Sequence, residues 1–127
     1  MAGGKRILIA DDDPDLADLL ESYFGGQGYQ VEVVTNGKDA VQRLQEEKFD
    51  LALLDVMMPY MDGYHVANEV TGRLGQDAPR IIIMTSRDTA SEKGIALMSG
   101  ASDTVQKPFA LEEMDRKVKA LLAARPD

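Results

Sequence analysis

The fold class this sequence predicts is α/β, a parallel sheet covered by helices on both faces, and three observations predict it. The apolar runs Ile7–Ala10, Leu51–Leu54 and Ile81–Met84 are continuous rather than alternating, as expected of strands buried on both faces. Longer stretches with apolar residues at helical spacing alternate with these runs. The resulting strand–helix repeat leaves each crossover to a helix, which is what neighbouring parallel strands require.

Taken in order, the first strand is Ile7–Ala10. After it, Asp13 suits a helix N-cap and Pro14 the first helical position. Leu16, Leu19, Leu20, Tyr23 and Phe24 then trace one helical face, which "GGQGY" ends. "QVEVV" at 30–34 reads as a second, more exposed strand. Ala40, Val41 and Leu44 mark a second helix ending near Glu47. The third strand, 51–54, delivers Asp55 at its C-terminal end. "VMMPYMDGY" reads as a loop, with Gly63 serving backbone geometry in the turn. A helix runs from there to about Leu74. The fourth strand is 80–86, and a helix over 88–99 is closed by Gly100. "DTVQ" is a short fifth strand, and Ala110–Ala124 is the last helix, with Leu111, Met114, Val118, Leu121 and Leu122 on its apolar side.

The 127 residues suit one compact domain over 1–127, with its core in about 6–122. A hydrophobic content of 44% and a charged content of 28% are those of an ordinary globular chain. The net charge of -8 argues against a nucleic-acid surface, which needs clustered Lys and Arg, so no direct nucleic-acid partner is expected. With no cysteine, disulfides and thiolate metal sites are excluded. The apolar run after the basic start is too short for a secretory signal, and no segment approaches membrane-spanning length. No membrane insertion and a cytoplasmic location are the expectations. The ending "LLAARPD" suits either a terminus or a linker.

In parallel α/β sheets, sites lie beyond the carboxyl ends of the strands. Asp11 and Asp12 follow strand one, Asp55 ends strand three, Thr85 and Ser86 end strand four, and Lys107 follows strand five. If these strands are neighbours, three carboxylates, a hydroxyl and an ammonium meet at one rim. Hard oxygen donors of this kind suit Mg²⁺ together with phosphate oxygens. A lysine and a hydroxyl then suit phosphoryl oxygens. A carboxylate such as Asp55 can itself be the nucleophile and form an acyl phosphate.

"ILIADDD", "LLDVMMPYMDGY", "IIIMTS" and "VQKPF" together resemble the signature segments of the response-regulator receiver family, in the family's order, from about Arg6 to Leu122. The resemblance implies a flavodoxin-like (βα)5 sandwich of strand order 2-1-3-4-5, as in chemotaxis regulators. It implies phosphorylation of Asp55 by a phosphohistidine on a sensor histidine kinase or phosphotransfer protein, with Mg²⁺ required and Mn²⁺ able to substitute. Asp12 would hold the metal directly, Asp11 through water, and the backbone carbonyl of Met57 would add a ligand beside Asp55. Thr85 and Lys107 would contact the phosphoryl group, and the Lys107–Pro108 bond would be cis. A downstream protein would bind the face of helix 88–99, strand five and the last helix. No separate substrate is turned over in this reading; the chemistry is self-phosphorylation and dephosphorylation.

Two positions depart from the family's commonest pattern. Thr104 stands where members often carry Tyr or Phe, an aromatic that moves inward as the strand-four hydroxyl engages phosphate. Met57 and Arg87 should flank the site, and Met57 cannot orient an attacking water, so a long-lived Asp55 phosphate is expected. Two other function classes compete. An aspartate-nucleophile phosphatase of the haloacid-dehalogenase kind needs a second Asp where Met57 stands. A pseudo-receiver scaffold that never accepts phosphate is opposed by the intact Asp11, Asp12, Asp55, Thr85 and Lys107. The lone His65 reads as a surface or packing residue. Met57, Met58 and Met61 read as an exposed loop.

Overall fold

The computed structural model describes residues 4–124. Residues 1–3 and 125–127, on which the basic start and the terminus-or-linker reading fall, lie outside the described residues. Strands β1 (Arg6–Ala10), β2 (Gln30–Val34), β3 (Leu51–Asp55), β4 (Arg80–Thr85) and β5 (Asp103–Gln106) form one parallel sheet in the order 2-1-3-4-5. Helices α1 (Pro14–Gly25), α2 (Gly37–Glu46), α3 (Gly63–Leu74), α4 (Thr89–Met98) and α5 (Leu111–Ala124) alternate with them, with a short 3-10 turn at Gly75–Asp77. The expected class and strand order are therefore present.

Side chains alternate across each strand and build two cores. Leu8, Ala52, Leu54, Ile81 and Ile83 point to the face covered by α2, α3 and α4. Ile7, Ile9, Leu53, Ile82 and Met84 point to the face covered by α1 and α5, where Phe24, Met114 and Val118 meet them. Both faces of β1 and β3 are thus buried, which explains why their sequences run apolar without alternation. Each such side chain contributes about 2–3 kcal/mol by leaving water. At the sheet edge, β2 is half-exposed, as its mixed sequence predicts.

The helix ends follow local chemistry. Asp13 caps α1, its carboxylate accepting from the backbone N–H of Asp15 at 3.0 Å, and Pro14 opens the helix. The buried stripe of α1 is Ala17, Leu20 and Phe24, whereas Leu19 is 49% exposed. Leu16 packs against the core, so the stripe is too wide only at Leu19. Small Ala17 lies on the sheet side instead. A second difference lies at α3, which begins at Gly63, inside the stretch read as loop. Asp62 caps it by accepting from His65 N–H at 2.8 Å, so Asp-Gly here starts a helix rather than making a turn.

Gly63 serves space, not a left-handed turn: its φ is not positive, but a Cβ there would stand 2.5 Å from the carbonyl oxygen of Asp55. Gly37, at the start of α2, is likewise pressed against the Met61 carbonyl. The first contact holds the β3–α3 loop close beside the end of β3, and the second holds it against the start of α2. Of the loop methionines only Met57 is exposed. Met58 and Met61 pack against the core, which corrects the expectation for those two.

Candidate phosphoacceptor site

Because every strand is parallel, all five carboxyl ends open on one edge. The register pairs Ala10 with Leu54, Asp55 with Met84 and Thr85 with Gln106, so the residues singled out from sequence arrive side by side. Asp11, Asp12 and Asp55 each place a carboxylate oxygen within 4.8 Å of the others. Asp11 is fully buried and Asp55 is 7% exposed, while Asp12 faces solvent.

Lys107 answers the two buried carboxylates. Its Nζ donates to Asp11 Oδ2 at 2.8 Å and lies 3.3 Å from Asp55 Oδ1. The other oxygen of Asp11 accepts from the backbone N–H of Asp13 at 2.9 Å, which turns the chain into α1. Lys107 reaches this position from the end of β5, where its own N–H donates to the Thr85 carbonyl and the expected cis bond to Pro108 follows.

The electrostatics are those of an acid cluster with too few cations. Burial first, and then the like charge of Asp11, push the Asp55 carboxyl up to about 6, against the opposing pull of Lys107 and a hydrogen bond from the Met57 backbone. Burial acts to lower the proton affinity of Lys107. The hydrogen bond and charge of Asp11, followed by those of Asp55, outweigh it, so its pKa stands above the ordinary lysine value. The ammonium is therefore secure, and the surplus is negative.

Hard oxygen donors converging on one point, with surplus negative charge, are the donor set of Mg²⁺. The residues fit that ion. Around them lies a cleft of about 470 Å³, whose walls include Asp12, Met57, Thr85, Arg87 and Lys107 with Asp55 at its floor. Thr85 is buried, and its Oγ1 accepts from the Arg87 backbone N–H at 3.0 Å at the head of the β4–α4 loop. Met57 and Arg87 flank the cleft as expected. Asp13 stays outside it as a cap, and His65 is an exposed residue of α3.

Two residues of this cleft escape sequence reasoning. Tyr64, in the first turn of α3, donates its hydroxyl to Glu92 Oε1 at 2.6 Å, and Glu92 in α4 is 5% exposed. Burial, and after it the Glu92 hydrogen bond and charge, hold the Tyr64 phenol well above its ordinary pKa, so it remains a donor. The available signal was weak: Glu92 occupies the position one turn before buried Ala96, where helical spacing asks for an apolar residue. Thr104 is buried in β5 opposite Ile83, at one wall of a groove between α4, β5 and α5.

Relatives agree with this geometry. The response regulator MprA of Mycobacterium tuberculosis is 40% identical over 117 residues, which are 92% of this chain and 50% of MprA. The chain thus spans about half the length of the curated relatives it matches. Among solved structures, the receiver domain of sensor histidine kinase PA1611 from Pseudomonas aeruginosa has a magnesium ion in its active-site cleft. It aligns with a TM-score of 0.82 at 27% identity, covering 95% of this chain and 99% of that one. The response regulator TrrA of Thermotoga maritima, in complex with Mg²⁺ and a beryllium fluoride, aligns with a TM-score of 0.82 at 31% identity, covering 92% and 98%. The sequence profile of the response regulator receiver domain matches residues 7–119, and this chain belongs to that family of two-component signalling domains.

Proposed function

We propose that Asp55 is the phosphoacceptor of this receiver domain, taking its phosphoryl group from a phosphohistidine of a sensor histidine kinase or phosphotransfer protein. One observation carries the reading: the buried Asp11 and Asp55 share one lysine, Lys107, at the strand-end rim. A carboxylate oxygen of Asp55 attacks phosphorus, the phosphorus–nitrogen bond breaks, and the imidazole leaves with the electron pair. Asp11, Asp12, Asp55 and the backbone carbonyl of Met57 would hold Mg²⁺, or Mn²⁺ in its place. Bound there, the cation offsets the charge on the carboxylates and on the phosphoryl oxygens.

The chain's own groups do the rest. Lys107 supplies an ammonium to the phosphoryl oxygens, and Thr85 supplies a hydroxyl from the end of β4. The phosphoryl group, carrying about -1.5 to -2 where the carboxylate carried about -1, draws both toward Asp55 and shifts the loops after β4 and β5. The face of α4, β5 and α5 then carries the signal to a downstream protein, within the cytoplasm. No helix of the described residues is long and apolar enough to cross a membrane. The chain acts as a phosphoacceptor and not as an enzyme with a separate substrate.

Incubation with Mg²⁺ and acetyl phosphate tests this. Intact mass should rise by one phosphoryl group in the native chain and stay unchanged in Asp55→Asn. An unmodified native chain would sink the reading. Thr104, in place of an aromatic, favours one alternative, the scaffold not controlled by phosphorylation. Partner binding equal in native and Asp55→Asn chains, with and without phosphodonor, would establish that alternative.

A further inference from the structure

The core holds α4 less firmly than the other helices. Among its described side chains only Glu92 and Ala96 are buried, and Ile95, Leu97 and Met98 face outward. One of the two anchors is thus a carboxylate, a group that is costly to bury unless it is bonded. Its bonds are few. Oε1 accepts from Tyr64 at 2.6 Å, and Oε2 lies 4.0 Å from Nη1 of Arg87. Tyr64 belongs to α3, so this hydrogen bond spans two helices, and all three residues line the cleft that holds Asp55 and Thr85.

We propose that Tyr64 and Glu92 are positioning residues that make the placement of α4 depend on the charge carried by Asp55, a step that rests on the phosphoacceptor reading above. With the cation already bound, phosphorylation replaces the single charge of the Asp55 carboxylate by a phosphoryl group of about -1.5 to -2, a net gain of about -0.5 to -1 in the cleft that Glu92 also lines. Like charges lining one cleft repel. Arg87, whose side chain is 78% exposed, is free to turn from Glu92 toward the new phosphoryl oxygens. Glu92 then loses its cation while gaining a like-charged neighbour. Its departure toward water breaks the Tyr64 bond and frees the first turn of α4. No covalent step is involved. The small Thr104 carries no aromatic lever on the β5 side, and Tyr64 supplies an aromatic hydroxyl from the α3 side.

Amide hydrogen exchange over residues 89–98 of the full chain reads this directly. In the native chain, Mg²⁺ with beryllium fluoride, a phosphoryl mimic, should speed exchange there about tenfold over Mg²⁺ alone, the effect of losing one hydrogen bond to a charged group. Tyr64→Phe should begin at the faster rate and gain little from the mimic. Glu92→Gln keeps a partner for Tyr64 but carries no charge, so it should begin protected and respond less than the native chain. Unchanged protection of β1 and β3 amides shows that each variant is folded. Should Tyr64→Phe loosen those strands as well, Glu92→Gln decides alone. A native α4 that the mimic leaves unchanged or protects further overturns the proposal, as does a Glu92→Gln response equal to the native one. Failure of the native chain to accept a phosphoryl group at Asp55 overturns the phosphoacceptor reading instead.

Discussion

At the C-terminal rim of the sheet one lysine answers three aspartates; at the N-terminal edge two arginines answer three glutamates. There, Arg6 lies over the Phe49 ring at 4.4 Å and pairs with Glu47 at 2.7 Å. Arg43 bonds Glu32 in β2 and both Glu46 and Glu47 at the end of α2. The two clusters shift their acids in opposite directions. The Arg43 hydrogen bond holds Glu32 below the usual carboxylate range, and Arg43 followed by Arg6 does the same to Glu47. Asp55 is pushed up. Near-balanced charge in contact with water makes a quiet structural network. Buried charge left out of balance stores a demand for a cation.

The largest expected effect breaks the rim. Lys107→Ala leaves Asp11 and Asp55 facing each other without their ammonium, and should slow acetyl-phosphate labelling about hundredfold, measured by the rate of mass gain. Next comes the flank of the cleft. Met57→Asn gives the attacking water a hydrogen-bonding partner and should speed loss of phosphate about tenfold, followed by decay of the labelled mass. No acceleration would remove Met57 as the cause of a long-lived phosphate.

A smaller effect tests the stored demand itself. The Asp55 pKa is raised from 3.8 to about 6, so the folded chain binds a proton more readily than the unfolded one. Stability therefore falls as pH rises through that window, and at neutral pH the ionised carboxyl costs about 1–2 kcal/mol after solvent screening. Asp55→Asn should raise stability by that amount at pH 7 in metal-free buffer. The gain should shrink on acidification and vanish below about pH 4. Denaturant titrations across the range check the sign. The smallest effect belongs to the opposite edge. Arg43→Ala should lower Tm only slightly, and less at high salt, because its carboxylate partners remain solvated. A large loss there would erase the contrast between the two clusters.

Much of the site was legible because its residues hang on strand ends. A continuous apolar run locates a buried strand, and the polar residue just beyond it must lie at the sheet's edge; Asp11, Asp55 and Thr85 follow from that rule alone. Asp13 was equally legible, since an Asp before Pro states its capping role locally. Leu19, Gly63 and Met58 were not. Which side of a helical stripe meets the sheet depends on how closely the backbone approaches. Gly63 answers to a carbonyl eight residues away in β3 rather than to its own turn. Glu92 defeated the pattern because a buried carboxylate breaks the apolar period, and its partner Tyr64 is 28 residues distant.

The sequence by itself determined the strand–helix order, the parallel sheet and the identities gathered at its rim, because burial period and capping are local properties of the chain. Only the tertiary structure decided how charge is shared there: that Lys107 bridges Asp11 and Asp55, and that Glu92 lies buried under the hydroxyl of Tyr64. Coulombic and hydrogen-bond energies depend on distances across separate elements, and those distances exist only once the sheet and helices have closed on one another.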